Sequence, residues 1–532
     1  TALLPLLSQM KYLRVLNLHY CQIGDVDYTD DEYDDDIGAY GLRSIGALVS
    51  ALQVMTQLTE LNLGSNGIRA EGARALVPTL QMMTQMKVLN LGGNSLGDEG
   101  ADGAAALAPA LQVMTGLQEL NLGDNDIGAD GAVALAPALQ VMTGLQELNL
   151  GDNDIGADGA AALAPALQVM TRLQELDLSN NDMGEDGARA LAPVLHVMTQ
   201  LTELDLGNNG IGAEGAEILA PALEKMTQMK ELNLGNNGIG ADGAAALAPA
   251  MEEMTQLEEL DLSNNDMGDK GARELVPVLP MMTEMKVLNL SHNDIGAEGA
   301  RAFASALAGM AQLKELNLGN NDIGADGAVA LAPALQVMTG LQELNLGDND
   351  IGADGAAALA PALQVMTRLQ ELDLSNNDMG EDGARALAPV LHVMTQLTEL
   401  DLGNNGIGAE GAEILAPALE KMTQLEELDL SNNDMGDEGA RELVPVLPMM
   451  TEIKVLNLSQ NDLGYVHRHE DGSQYIDEVW YALAPVLLEM TQLRNLDLSS
   501  NWNGHEADEV LAPVASAIEK RGGRCSMALY IQ

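Results

Sequence analysis

Carboxylate chemistry recurs most often in this chain. Glutamate returns at one position of a short motif, as Glu60, Glu119, Glu147, Glu175, Glu203, Glu231, Glu259, Glu315, Glu343, Glu371, Glu399 and Glu427. Val15, Val88, Val287 and Val455 hold that position in four other copies, and two residues further on the side chain is always Asn or Asp, as in Asn149, Asp177 and Asp205. Carboxylates can move protons, hold cations or attract basic surfaces, and spacing decides among these. Most of these glutamates lie 28 residues apart, so each belongs to its own copy of a repeat. Catalysis by Ser/His/Asp or by paired carboxylates needs convergence that such a pattern does not specify, and His196, His292 and His392 lack a nucleophile or carboxylate constellation. No catalytic set, metal or cofactor is expected.

The elements that position the glutamates follow from one copy, LQELNLGDNDIGADGAVALAPALQVMTG at 117–144. Leu120 and Leu122 alternate with Asn121, the period-2 mark of a half-buried strand. Gly128 to Gly131 supply turn and helix-start chemistry, with Gly131 expected to open the helix. Ala132, Leu135, Leu139 and Met142 then recur at helical spacing. Pro137 lies too far along for the first helical turn and predicts a kinked or divided helix. Seventeen copies run from Leu13 to Leu493, and only three spacings depart from 28. A unit this small cannot bury its apolar face alone, so neighbours must stack, with parallel strands inside and helices outside.

The pattern LxxLxLxxNxIGxxGAxxLAxxL resembles the leucine-rich repeat proteins of the ribonuclease-inhibitor-like type over nearly the whole chain. That resemblance implies an α/β fold: a curved solenoid, or horseshoe, of about 17 repeats, with strands on the concave face and helices on the convex face. Ribonuclease inhibitor, immune receptors with nucleotide-binding modules and Ran GTPase activators share the pattern. It identifies a fold and not a partner. The cysteines of mammalian ribonuclease inhibitor are missing, as are a P-loop and any motif of a GTPase-activating site.

Composition removes further classes. Eighty acidic residues against 25 basic ones leave a formal charge of −55, and only 12 residues are aromatic. Nucleic acid needs a cationic face and usually stacking aromatics, so it is not the expected partner. Cys21 and Cys525 are too few for a disulfide-stapled scaffold or a four-thiolate zinc site. Without an apolar run of about 18 residues no membrane span is expected, and the chain reads as soluble, with an intracellular setting preferred. It opens in the second half of a helix, as TALLPLLSQMKY, which leaves room for preceding sequence.

Residues 1–532 read as a single solenoid with two insertions and a C-terminal cap at 520–532. The insertion at 25–40 combines a run of acids with Tyr28 and Tyr33, and reads either as a self-repelling loop or as a clasp for a basic peptide or Ca²⁺. The insertion at 465–476 carries Tyr465, His467, Arg468, His469 and Tyr475, and reads as an exposed contact loop on the same rim. Trp480 and Tyr481 are expected in the helix core. Residues 125–228 and 321–424 are identical, and serve either as two equal docking surfaces or as a lengthened spacer.

On the concave face, glutamates one strand apart, at ~4.8 Å, repel by roughly 0.9 kcal/mol per pair even in water. Asp130 and its equivalents favour the positive helix terminus, and Asn125 and its equivalents read as a structural ladder. The expectation is a noncatalytic scaffold for protein binding, with an acidic trough that attracts a basic protein. Two alternatives stand beside it: a regulator of an enzyme, either a GTPase activator or a nuclease inhibitor, and an acidic structural or cation-binding protein.

Overall fold

The structure, a computed structural model, describes residues 9–24, 37–97, 102–310, 312–464, 466–468, 474–476, 479–501 and 505–527. The chain forms two compact units, Thr1–Asn265 and Asp266–Gln532.

In the first unit nine three-residue strands, Val15–Asn17 to Glu259–Asp261, pair in parallel in chain order among the described residues. The second unit repeats this with nine strands, Val287–Asn289 to Arg524–Ser526. Seventeen of the strands are the repeat copies, and Arg524–Ser526 ends the series against Asn495–Asp497.

In most copies the strand leads through a turn to a helix, as Glu119–Asn121 leads to Gly128–Leu139. Leu117, Leu120, Leu122, Ile127, Ala132, Leu135, Leu139 and Met142 are all buried, so one copy contributes a full slice of core. Burying each leucine stabilises the slice by roughly 2 kcal/mol. Strand side chains on the other face stay half-exposed, which is where the glutamates lie.

The turn is held by the buried asparagine. Asn349 Nδ2 donates to the carbonyls of Leu318, Leu346 and Gly347 at 2.9–3.0 Å, and its Oδ1 accepts from the N–H groups of Asn321 and Ile323 at 3.1 and 3.3 Å. It thereby satisfies backbone groups of its own copy and of the preceding one, as a structural ladder requires. Asp124 and Asp126, at φ 56° and 53°, occupy left-handed positions that short polar residues tolerate. That backbone requirement accounts for Asp-Asn-Asp without a cation.

Two details of the helices differ from the sequence reading. The helix opens at Gly128, where φ is +66° and the N–H donates to Asn153 O at 2.8 Å, and not at Gly131. Gly131 lies inside the helix for a packing reason: a Cβ there would meet Ile127 Cγ2 at 2.6 Å. Asp130 therefore sits in the first turn, and the residue preceding that turn, Ile127, makes no side-chain capping bond. The acid acts on the helix terminus through charge alone.

Pro137 does not divide its helix, which continues to Leu139. Division occurs where a second proline follows three residues later. Pro277 and Pro280 separate the helix Gly268–Leu275 from the 3₁₀ turn Leu279–Met281, and the pair Gly436–Leu443 and Leu447–Met449 repeats that arrangement. One missing N–H near a helix end is tolerated; two prolines in adjacent turns are not.

Candidate protein-binding face

The strand register sets the glutamates side by side. In the first unit Glu119, Glu147, Glu175, Glu203, Glu231 and Glu259 occupy six adjacent strands at one register position. In the second, Glu315, Glu343, Glu371, Glu399 and Glu427 do the same, and Val455 ends the run. Partial burial, and then the neighbouring glutamates, raise the Glu147, Glu175, Glu203, Glu231, Glu343, Glu371 and Glu399 carboxyls above the ordinary carboxylate range. Lys230 pulls the other way at Glu203 and Glu231. These seven carboxyls therefore give up charge earlier on acidification than isolated glutamates would.

Beside it runs an inner row that sequence reasoning did not single out as a site. In the second unit this row is Asn345, Asp373, Asp401, Asp429 and Asn457, on consecutive strands. Asn345 Nδ2 donates to Asp373 Oδ2 at 2.8 Å, and Asn457 Nδ2 to Asp429 Oδ2 at 2.6 Å. Ser375 and Ser431 each donate both Oγ–H and N–H to the aspartate two residues earlier. Asp401 has Gly403 at that place and receives only its N–H, at 2.8 Å. Burial, reinforced by Asp429, Asp373 and Asp348, pushes the Asp401 carboxyl up to about 7.

The glutamate column and the inner row of the second unit line a trough of about 530 Å³ bordered by Val287 at one end and Val455 at the other, with no Lys, Arg or His among its lining residues. Next to the inner row of the first unit, exposed asparagines form a further ladder. Asn208 donates to Asn180, Asn236 to Asn208, and Asn264 to Asn236. Its signal in the sequence is the residue just before the buried asparagine.

The remaining candidates fall elsewhere. Tyr28, Tyr33, Tyr465 and His469 lie outside the described residues. The helix Ile37–Leu52 takes in the last four residues assigned to the first insertion. In the second insertion, Val466–Arg468 pairs antiparallel with Gln474–Ile476, which sets His467 opposite Tyr475 and Arg468 opposite Gln474 along the backbone. The side chains of these six residues are outside the description. Trp480 is buried as expected, whereas Tyr481 is 58% exposed, because it falls one residue round the helix from the core stripe of Trp480, Leu483 and Leu487. Among the described residues no group of three or more His, Cys, Asp and Glu side chains is placed to hold a metal ion, and no helix is long and apolar enough to cross a membrane.

Solved structures of other proteins align with the chain at low identity. A leucine-rich-repeat protein of Leptospira interrogans aligns with TM-score 0.50 and 17% identity, over 98% of each chain. An internalin of Listeria monocytogenes aligns with TM-score 0.48 and 21% identity, over 74% of this chain and 89% of that one. TLR13, in a complex with ssRNA13, aligns with TM-score 0.41 and 17% identity, over 91% of this chain and 59% of that one. No curated protein matches the chain. The leucine-rich repeat family model matches fifteen segments, from 9–27 to 421–444, and these cover more than half of the sequence. The chain belongs to the leucine-rich repeat family.

Proposed function

We propose that this protein is a noncatalytic scaffold that binds a basic protein segment along the open face of its sheet. The observation that supports this reading is the alignment of six glutamates on six adjacent strands in the first unit. Such a column is costly to maintain, since each neighbouring pair repels by roughly 0.9 kcal/mol in water and more at a partly desolvated surface. A cationic partner relieves that repulsion, and the field speeds its encounter. The same field repels phosphates, which argues against a nucleic-acid partner. The insertion at 465–476 supplies contacts of individual character, since loops on rigid scaffolds commonly carry recognition. Twelve-residue helices in 28-residue copies favour the ribonuclease-inhibitor-like type.

Binding of a fluorescent Lys/Arg-rich 16-residue peptide to the full chain, followed by anisotropy from 50 to 300 mM salt, tests this. Binding should weaken steeply with salt, and E147Q/E175Q/E203Q should weaken it about tenfold at 50 mM. Equal affinity in the triple variant would remove the glutamate column from recognition. Removal of residues 465–476 should alter binding of a physiological partner more than E175Q alone.

A further inference from the structure

The inner row of the second unit contains a place where one proton changes the character of the face. Three carboxylates, Asp373, Asp401 and Asp429, stand side by side in register. The outer two are well supplied with donors, each taking a serine hydroxyl, a serine N–H and an asparagine amide. Asp401 takes one backbone N–H. Its surroundings supply negative charge from every side: Glu399 on its own strand, Glu371 and Asp373 on one neighbour, Glu427 and Asp429 on the other, and Asp348 beyond. Lys454, at the strand entrance two copies further on, is engaged with Glu426.

The identical segment in the first unit shows what is missing. Asp205 also has a glycine, Gly207, two residues later and takes its N–H at 2.8 Å, but the next strand presents Asn233, whose Nδ2 donates to Asp205 Oδ2 at 3.0 Å. In the second unit Asp429 stands at that place, an acceptor where the first copy has a donor.

We propose that Asp401 is a proton-operated switch: protonated, it donates to Asp373 or Asp429 as Asn233 donates to Asp205, and ionised, it completes a run of three adjacent negative charges that strengthens the hold on a cationic segment. The proton comes from water and returns to it, and no other bond changes. Burial and the flanking carboxylates place this exchange near neutrality. The face therefore grips a basic partner at mildly alkaline pH and loosens it on mild acidification, and the part of this response that Asp401 supplies belongs to the second unit. The partner's role in this rests on the docking reading above, whereas the protonation of Asp401 does not.

The test compares the full chain with D401N and D429N, using melting temperature against pH without any partner and anisotropy of a labelled octalysine peptide. A carboxyl that titrates higher folded than unfolded destabilises the fold increasingly as pH rises from about 4 to about 7, so D401N should raise the melting temperature by about 4 °C at pH 8 and by under about 1 °C at pH 5. D429N places an amide beside Asp401 and should move its titration downward. Octalysine should bind the parent chain about threefold more tightly at pH 8 than at pH 5.5, beyond any change that D401N retains. Parallel melting profiles for the parent, D401N and D429N would overturn the switch. A flattened D401N profile with no octalysine binding at either pH would uphold the switch and overturn the docking reading.

Discussion

Residues 125–228 and 321–424 carry the same sequence, and Asp205 and Asp401 occupy the same position within it. Their own copies treat them alike, with a glycine two residues on, one backbone donor and an aspartate, Asp177 or Asp373, on the preceding strand. The following strand differs, Asn233 in one case and Asp429 in the other. In a stacked array the chemistry of a side chain belongs to the interface between copies as much as to the copy that encodes it. Burial raises both carboxyls, but Asn233 holds Asp205 back, whereas Asp429 adds to the rise at Asp401.

The largest expected effect lies where the two regions agree. Asn181 and Asn377 are buried, and each donates three amide bonds to backbone carbonyls of its own and the preceding copy. Replacing either by alanine strands several buried acceptors and should cost about 3 kcal/mol or more, equally in the two places, as read by denaturant unfolding. Unequal costs would break the equivalence of the two cores.

A smaller effect sharpens the difference. Exchanging the following residues, as N233D and D429N, should make Asp205 behave as Asp401 does and the reverse. Stability at pH 8 should fall in N233D and rise in D429N by about 1–2 kcal/mol each, with both differences shrinking toward pH 5. The sign follows from the raised folded titration: the penalty is absent while both folded and unfolded carboxyls are protonated and grows as pH climbs. Smallest is the response of the exposed column. Glu175→Gln and Glu371→Gln should each stabilise by under about 1 kcal/mol at low salt, and the gain should vanish at 0.5 M salt in thermal melts.

The fold was legible because the 28-residue period states the same strand, turn and helix seventeen times, and Leu120, Leu122 and Asn125 each have one stable destination. The glutamate register followed from that period. The helix start was less legible, since Gly128 and Gly131 look alike in sequence and differ in purpose, one taking a positive φ and the other giving way to Ile127. Tyr481 was misplaced because a single residue step rotates a side chain by about 100° around a helix. Asp401 was hidden for another reason. Its environment comes from Ser375, Asp429, Ser431 and Asn457, scattered over three further copies, and only the register brings them to one row.

Site-specific titration of the Asp401 and Asp205 side chains by ¹³C NMR, assigned through D401N and D205N, tests the central claim most directly. Asp401 should titrate near 7 and Asp205 clearly below it, despite 104 residues of identical flanking sequence. Coincident titration curves would mean that the following repeat does not set the chemistry of the carboxyl, and would contradict the account.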